Sequence, residues 1–210
     1  TREGMKMGKS IGNVLDPSIL LSKYGEDRVR WFLLKDISLG SDGDFQEKRF
    51  VDIVNNDLSN TIGNLLNRTT SMSRKWFNNA VPTDINVSDK IFKELSQKCI
   101  DNYINNLENY DISQSCNDIL NFAIKINLYL NDEKPWILIK DKDKRNQVKQ
   151  IIYNVLEANR LIGLLLMPIL FKLSSNILEQ LGQIDIDKEN WKENLIEAGH
   201  NFYNYLNILL

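Results

Sequence analysis

The stretch DISQSCNDILNFAIKINLYL, residues 111–130, decides the fold class of this chain. Its apolar residues recur at alternating steps of four and three, which places them along one face of an α-helix. That face is formed by Ile112, Cys116, Ile119, Ala123, Ile126 and Leu130. Asp111 stands at the N-cap position, and Gln114 follows it at the spacing of a capping box. The stretch therefore predicts a long amphipathic helix that packs against other helices.

Three more stretches carry the same pattern on either side of it. A long helix is predicted from Gln46 to the break at Pro82, and its stripe is Phe50, Val54, Leu58, Ile62 and Leu65. Helices are also predicted over residues 88–109 and 143–167. Their stripes are Phe92, Leu95, Cys99, Tyr103 and Leu107, and Val148, Ile151, Val155, Ala158, Ile162 and Leu165. The segments around Ile177 and over 191–210 are expected to close the bundle. The pattern predicts an all-α fold built on an antiparallel helical bundle.

The front quarter has its own helix signals. Asp16-Pro17 combines an N-cap residue with proline at the first helical position, and Gly25 suits the end of that helix. A second helix is predicted over residues 26–35, with its buried residues Val29, Phe32 and Leu33. Residues 40–45 have turn chemistry that leaves room for one short strand. We therefore predict a small, mostly helical subdomain over residues 1–45 and the bundle over residues 46–210.

Composition limits the kinds of partner. The net charge is −2 among 210 residues, so any contact with nucleic acid must depend on locally placed basic and aromatic residues. A DNA-coating role is therefore disfavoured.

Cys99 and Cys116 each fall on an apolar stripe, which predicts buried thiols rather than a disulfide or a metal site. The apolar run over residues 161–173 is too short for a membrane span and includes Lys172, so it predicts a core helix. No basic and apolar leader opens the chain, which favours the cytoplasm, with an organellar stroma or matrix as the alternative.

A glycine-rich loop at residues 4–13 carries two lysines, Lys6 and Lys9. Small residues let such a loop fold closely over a ligand, and two ammonium groups can neutralise a triphosphate whose charge grows in a transition state. The loop does not have P-loop spacing, because that motif needs glycine where Glu3 stands. Two solvated surface lysines are the alternative interpretation.

The sequence of this loop, Lys6-Met7-Gly8-Lys9-Ser10-Ile11-Gly12-Asn13, resembles the KMSKS signature of class I aminoacyl-tRNA synthetases. In that family the loop closes over ATP and stabilises pyrophosphate as the amino acid attacks the α-phosphate. The resemblance implies that Lys6 and Lys9 are catalytic and that Lys6, Lys9 and Ser10 bind the ATP phosphates. Lys9 would be the more important lysine. The sequence departs from the family at Gly8, where serine is usual.

Other segments are similar to methionyl-tRNA synthetases in order and spacing. They are residues 24–34, 42–45, 56–68 and 134–136. The resemblance implies that Asn64 and Arg68 hydrogen-bond bases of the CAU anticodon and that Trp136 stacks on one. It also implies that the subdomain over residues 1–45 contacts the inner tRNA stem.

Elementary geometry agrees with this interpretation. Asn64 and Arg68 are four apart on one predicted helix, so they project from the same side, and Trp136 follows a proline at a helix junction where an indole can lie open. Stacking of a base on an aromatic ring contributes about 1 to 3 kcal/mol. The alternatives are a solvated Asn-Arg helix face and a core tryptophan. The other tryptophans, Trp31, Trp76 and Trp191, are predicted to be core or interface residues, and His200 to be partly exposed.

Parts of a complete synthetase are missing from this sequence. The family also needs a His-x-Gly-His segment, and the only histidine here is His200. The chain alone is therefore expected neither to adenylate methionine nor to charge tRNA, and to bind no cofactor or metal. The parent enzyme would use ATP with Mg²⁺ to join methionine to tRNA(Met), including the initiator. A free-standing tRNA-binding module and a purely structural helical protein are the alternatives. No role at DNA or a membrane is expected.

Overall fold

A computed structural model describes residues 1–83, 85 and 90–183, and these residues form an all-α protein, as predicted. Its helices are α1 (Pro17–Tyr24), α2 (Glu26–Asp36), α3 (Glu47–Val54), α4 (Asn64–Phe77), α5 (Lys90–Glu108), α6 (Ile112–Glu133), α7 (Pro135–Leu138), α8 (Arg145–Leu166) and α9 (Phe171–Gln180). A π-helical segment, Asn55–Gly63, joins α3 to α4. No helix in the described ranges is long and apolar enough to cross a membrane.

Helices α6 and α8 form the centre of the bundle. The predicted stripe of α6 is buried from Cys116 to Leu130, and α8 is buried on all sides between Ile151 and Leu166. Burial on every side places α8 inside the bundle, although it also carries polar and charged residues. The charged pair in α8 joins two residues of the same helix, since Arg160 donates to both oxygens of Glu157 at 2.8 and 2.5 Å.

The helix starts follow the predicted capping signals. The Asp16 carboxylate accepts a hydrogen bond from the backbone N–H of Ser18, and Asp111 accepts one from that of Gln114 at 3.0 Å. The second half of the predicted capping box is not formed, since the Gln114 side chain donates to Asp118 instead. Helix α6 ends where Lys134 takes a left-handed conformation, with a φ of 46°.

The long helix predicted from Gln46 is continuous, but its middle is π-helical. All five stripe residues are buried. Three successive steps of four separate Phe50, Val54, Leu58 and Ile62, which suits a helix turn wider than 3.6 residues. The wide turn also buries Asp57, whose carboxylate accepts hydrogen bonds from the Trp31 indole at 2.9 Å and the Lys35 ammonium at 2.6 Å.

One prediction for the front quarter is wrong. Leu33 is 43% exposed, whereas Trp31 is fully buried. Helix α2 packs chiefly against α6, and its Trp31 indole reaches Asp57 of the π-helical segment, so its buried face is rotated toward Trp31. The short strand that the sequence of residues 40–45 left open is not formed in the described structure, where Phe45 makes only an isolated bridge with Arg2.

Several helix boundaries also differ from the sequence prediction. Residues 161–173 form no single core helix, because α8 ends at Leu166 and Pro168 separates it from α9. Helix α8 begins at Arg145 rather than at residue 143, after a short 3₁₀ turn, Lys142–Lys144. The predicted start at residue 88 lies outside the described residues. So do the closing segment 191–210, Trp191 and His200.

Helix α2 is fixed to distant parts of the bundle by polar contacts. Asp27 accepts a hydrogen bond from the backbone N–H of Leu173 at 2.6 Å, which caps the first turn of α9. Arg30 donates to the carbonyl of Ile169 at 2.9 Å. At the other end of α2, the Ser113 hydroxyl donates to the carbonyl of Lys35 at 2.6 Å. These bonds place the front quarter firmly against the bundle.

Candidate nucleic-acid interface and phosphate loop

The Trp136 indole is presented to solvent by the junction between α6 and α7. The left-handed conformation of Lys134 turns the chain, and the buried Pro135 fixes the first residue of α7. Trp136 and Ile137 then project outward and are 38% and 54% exposed. The predicted aromatic group at a helix junction is therefore accessible.

Arg68 lies over this indole. Its Cζ atom is 5.6 Å from the centroid of the Trp136 ring, a distance at which a cation attracts the face of an aromatic ring. A base between the two planes would need two successive van der Waals contacts, or about 7 Å. This arrangement therefore leaves no room for a base between Arg68 and the ring, and a stacking ligand would need the exposed part of the ring away from Arg68.

Two asparagines of α6 hold the Arg68 guanidinium. Its Nη2 donates to Asn131 Oδ1 at 2.7 Å, and its Nη1 donates to Asn127 Oδ1 at 3.4 Å. Sequence reasoning missed both residues. The only available signal was their i,i+4 spacing near Trp136, because the contacts themselves cross 59 and 63 positions.

Asn64 lies one helical turn before Arg68, at the first position of α4. It is exposed and lines an open depression together with Ser59, Asn60, Gly63 and Asn67. Amide groups supply both hydrogen-bond donors and acceptors, which suits the edges of unpaired bases. The surface thus combines an exposed ring, a guanidinium and a row of amides on neighbouring turns.

The front loop is held in shape by the side chain of Asn13. Its Oδ1 accepts from the Gly8 N–H at 2.9 Å, and its Nδ2 donates to the Lys6 carbonyl at 3.1 Å. Lys6 and Lys9 are exposed, and neither forms an ion pair within the described residues. Both ammonium groups are therefore available to an anionic ligand. Asn13 was not predicted as a site residue.

Gly8 does not depend on being glycine. Its φ is −156°, which is extended backbone, and a Cβ atom there would meet Ile11 at an ordinary contact distance of 3.5 Å. The serine usual in the family would therefore fit. Gly12 is different, because its φ of 70° lies in the left-handed region at the end of the 3₁₀ turn Lys9–Ile11.

Asp44 anchors the start of the loop. Its carboxylate accepts hydrogen bonds from the Thr1 hydroxyl at 2.6 Å, the Gln46 amide at 2.9 Å and the Gly4 N–H at 3.0 Å. These bonds, with Thr1 first, lower the pKa of Asp44 to about 2. Asp44 belongs to a segment noted for its family resemblance, but it was not predicted as an anchor.

Comparison with known proteins accounts for the presence of both the surface around Trp136 and the front loop in one chain. The model of "tRNA synthetases class I (M)" matches residues 1–70. The model of the "Anticodon binding domain of methionyl tRNA ligase" matches residues 81–204, which is more than half of the chain. The chain belongs to the methionyl-tRNA ligase family.

Individual methionyl-tRNA ligases agree with the family models. The methionine-tRNA ligase of Synechocystis sp. is 39% identical over 202 residues, which cover 94% of this chain and 37% of that protein. That of Clostridium tetani is 38% identical over 90% of this chain and 29% of that protein. The Mycobacterium tuberculosis methionyl-tRNA synthetase, solved in complex with methionyl-adenylate, superposes with a TM-score of 0.82 at 27% identity, covering 90% of this chain and 38% of that one.

Family membership confirms the resemblance recognised in the sequence. The chain spans about a third of the length of the curated methionyl-tRNA ligases it matches. Of the predicted site residues, Arg68 and Trp136 are in contact and Asn64 is one turn away, whereas Lys6, Lys9 and Ser10 lie together in the separate front loop. No cluster of three metal-ligating side chains occurs in the part that the structure describes.

Proposed function

We propose that this chain is the part of a methionine-tRNA ligase that recognises the CAU anticodon of tRNA(Met), including the initiator, and that supplies the loop for the ATP phosphates. The observation that carries the proposal is the exposed Trp136 ring beneath the Arg68 guanidinium. A buried ring or a distant guanidinium would have removed the reason for it. The ligase would act in the cytoplasm or in an organelle with its own translation.

Anticodon recognition would divide between stacking and hydrogen bonding. One splayed base would stack on the exposed part of the Trp136 ring, away from Arg68. Arg68 has five N–H donors, of which Asn127 and Asn131 each accept one, so three remain for base carbonyls or phosphate. The Asn64 amide can donate to and accept from the edge of a neighbouring base. These groups need unpaired bases, which an anticodon loop presents.

The front loop would act in the adenylation step of the whole ligase. The methionine carboxylate attacks the α-phosphate of ATP, which is bound with Mg²⁺, and the bond to pyrophosphate breaks. Lys6, Lys9 and Ser10 bind the phosphates, and the two ammonium groups stabilise the charge that develops on the departing pyrophosphate. The methionyl group then passes from the adenylate to the terminal ribose of the tRNA, and AMP leaves. This chain alone is expected to show no methionine-dependent pyrophosphate exchange.

The anticodon proposal is tested with RNA hairpins at one stated salt concentration, since phosphate contacts make affinity salt-dependent. The chain should bind a CAU hairpin at least tenfold more tightly than a hairpin with a changed anticodon. Trp136→Ala should weaken CAU binding about tenfold or more without unfolding the chain. Tyr110→Ala is the matched control. That exposed aromatic residue precedes α6, about 30 Å from Trp136 by the helix rise. Equal affinity for both hairpins would contradict the proposal.

The loop proposal is tested in the whole ligase. Lys9→Ala should lower the rate of pyrophosphate exchange by about 100-fold or more, and Lys6→Ala by less, because each removes a charge that acts on the transition state. Lys48→Ala removes an exposed lysine of α3 and is the control. An unchanged rate in the Lys9 variant would show that the loop lysines are only solvated surface groups.

A further inference from the structure

We propose that Asn131, assisted by Asn127, is a positioning residue that holds the Arg68 guanidinium over Trp136 before RNA arrives. This inference rests on the proposed anticodon function, which it deepens. It concerns residues of α6 that need not touch RNA themselves. The observation behind it is a set of hydrogen bonds that joins α4 to α6 beside the exposed indole.

The two asparagines accept hydrogen bonds from different nitrogens of the Arg68 guanidinium. Asn131 Oδ1 accepts from Nη2 at 2.7 Å, the shorter of the two bonds, and Asn127 Oδ1 accepts from Nη1 at 3.4 Å. Asn127 is itself fixed, because its Nδ2 donates to the carbonyls of Thr61 at 3.2 Å and Ala123 at 3.1 Å. The guanidinium therefore has a defined height and orientation over the ring.

Neutral acceptors suit this purpose. A carboxylate would also hold Arg68, but it would cancel the positive charge that an RNA phosphate or base carbonyl needs. The amide oxygens accept hydrogen bonds and leave the charge in place. They thus order a long, flexible side chain without neutralising it.

Ordering in advance should increase affinity for RNA. Arginine has several rotatable bonds, and fixing them costs conformational entropy. When the protein fold fixes them, binding no longer carries that cost. Loss of the Asn131 amide should therefore weaken RNA binding through Arg68 and leave the stability of the bundle almost unchanged, since Asn131 is exposed.

The first test measures hairpin binding in a double-mutant cycle. Asn131→Ala should weaken binding of the CAU hairpin about threefold to tenfold, with an unchanged midpoint of urea unfolding. In an Arg68→Met background, which keeps the aliphatic contact with the indole, Asn131→Ala should have no further effect. Asn121→Ala is the matched control, because Asn121 is an exposed asparagine of the same helix. Equal losses in both backgrounds would overturn the proposal.

The second test needs no RNA and therefore separates this proposal from the anticodon function. The Trp136 ring should shift the proton resonances of the Arg68 side chain away from their free-arginine values. Asn131→Ala should move them back toward those values, whereas Asn121→Ala should not. Unchanged Arg68 resonances in the Asn131 variant would overturn the positioning role, even if the wild-type chain selects the CAU hairpin. A wild-type chain that does not select the CAU hairpin would count against the anticodon function instead.

Discussion

Asp57 of the π-helical segment links the front quarter to the bundle through two hydrogen bonds. One of its oxygens accepts both the Trp31 indole N–H and the Lys35 ammonium, in a site where the carboxylate is almost fully buried. Burying a charge is unfavourable unless it is paired and hydrogen-bonded, and here both conditions are met. Loss of either partner of the Asp57–Lys35 pair is therefore expected to lower the free energy of unfolding.

Replacing Asp57 with alanine should lower the free energy of unfolding by about 3 kcal/mol. The substitution leaves the Trp31 N–H buried without an acceptor and Lys35 without its counter-charge. Urea unfolding followed by circular dichroism measures the change. Asp52→Ala is the control, because Asp52 is exposed on α3, and it should change the value by less than about 0.5 kcal/mol. Equal effects of the two variants would contradict the importance of the buried pair.

Both cysteines should be chemically inert in the folded chain. Burial raises the pKa of the Cys99 thiol and of the Cys116 thiol to about 12 each, so the reactive thiolate is scarce at pH 8. Iodoacetamide at pH 8 should label neither residue in the native chain and both in guanidinium, as counted by mass spectrometry. Native labelling of either cysteine at the rate of the unfolded chain would refute this.

At the scale of elements, Gly163 allows α8 and α9 to approach closely. A Cβ atom at this position would lie 2.8 Å from a methyl carbon of Leu178 and 3.2 Å from Ile177. The Gly163 carbonyl also accepts the Ser174 hydroxyl at 2.7 Å. The position selects glycine because of packing, since its helical backbone would suit any residue.

Gly163→Ala should therefore destabilise the chain by about 1 to 3 kcal/mol, although alanine is the better helix former by about 1 kcal/mol. Thermal unfolding measures the change. Leu178→Ala removes the side chain that would clash, so in that background the same glycine substitution should be neutral or stabilising. A penalty that persists in the double variant would show that the close approach is not the cause.

Elements with local signals could be predicted from the sequence. The caps at Asp16 and Asp111 and the apolar stripes gave the helices, because both depend on residues within a few positions. The π-helical segment could not be predicted in this way. Its steps of four fit an ordinary helix nearly as well, and its buried Asp57 needs partners from α2 that the local sequence does not reveal. The burial of Trp31 rather than Leu33 could not be predicted for the same reason, since it depends on contacts between helices.

The residues of the candidate site also divide into those that the sequence could predict and those that it could not. The resemblance in sequence indicated Asn64, Arg68 and Trp136, and the structure brings the last two together. Asn127 and Asn131 could not be found, since their contacts with Arg68 depend on how α4 packs against α6. Asn13 lay inside the recognised loop signature, yet its role as a brace depends on the path of the backbone from Lys6 to Gly8.

At the scale of the molecule, residues 1–45 are expected to be inseparable from the bundle. They contribute Trp31 and Phe32 to the core, and α2 packs against α6 and α9 and hydrogen-bonds to Asp57 of the π-helical segment. One core therefore extends across the predicted boundary at residue 45.

Deletion of residues 1–45 should lower the free energy of unfolding by at least about 4 kcal/mol, because it removes large core side chains and leaves Asp57 without partners. Deletion of residues 1–13 is the control. No residue before Leu20 is buried, so that deletion should lower it by less than about 2 kcal/mol. Urea unfolding compares the three chains. A shortened bundle with the stability of the full chain would show that the front quarter folds separately.

The bond between Asp27 and Leu173 has a consequence for the order of events during synthesis. The carboxylate emerges from the ribosome 146 residues before the amide that it caps. Until then the Asp27 carboxylate has no donor from α9, and the chain between the two residues must close a very large loop. Such distant pairings slow folding, so the final docking step should follow translation of nearly the whole bundle, with α2 exposed to other proteins in the meantime.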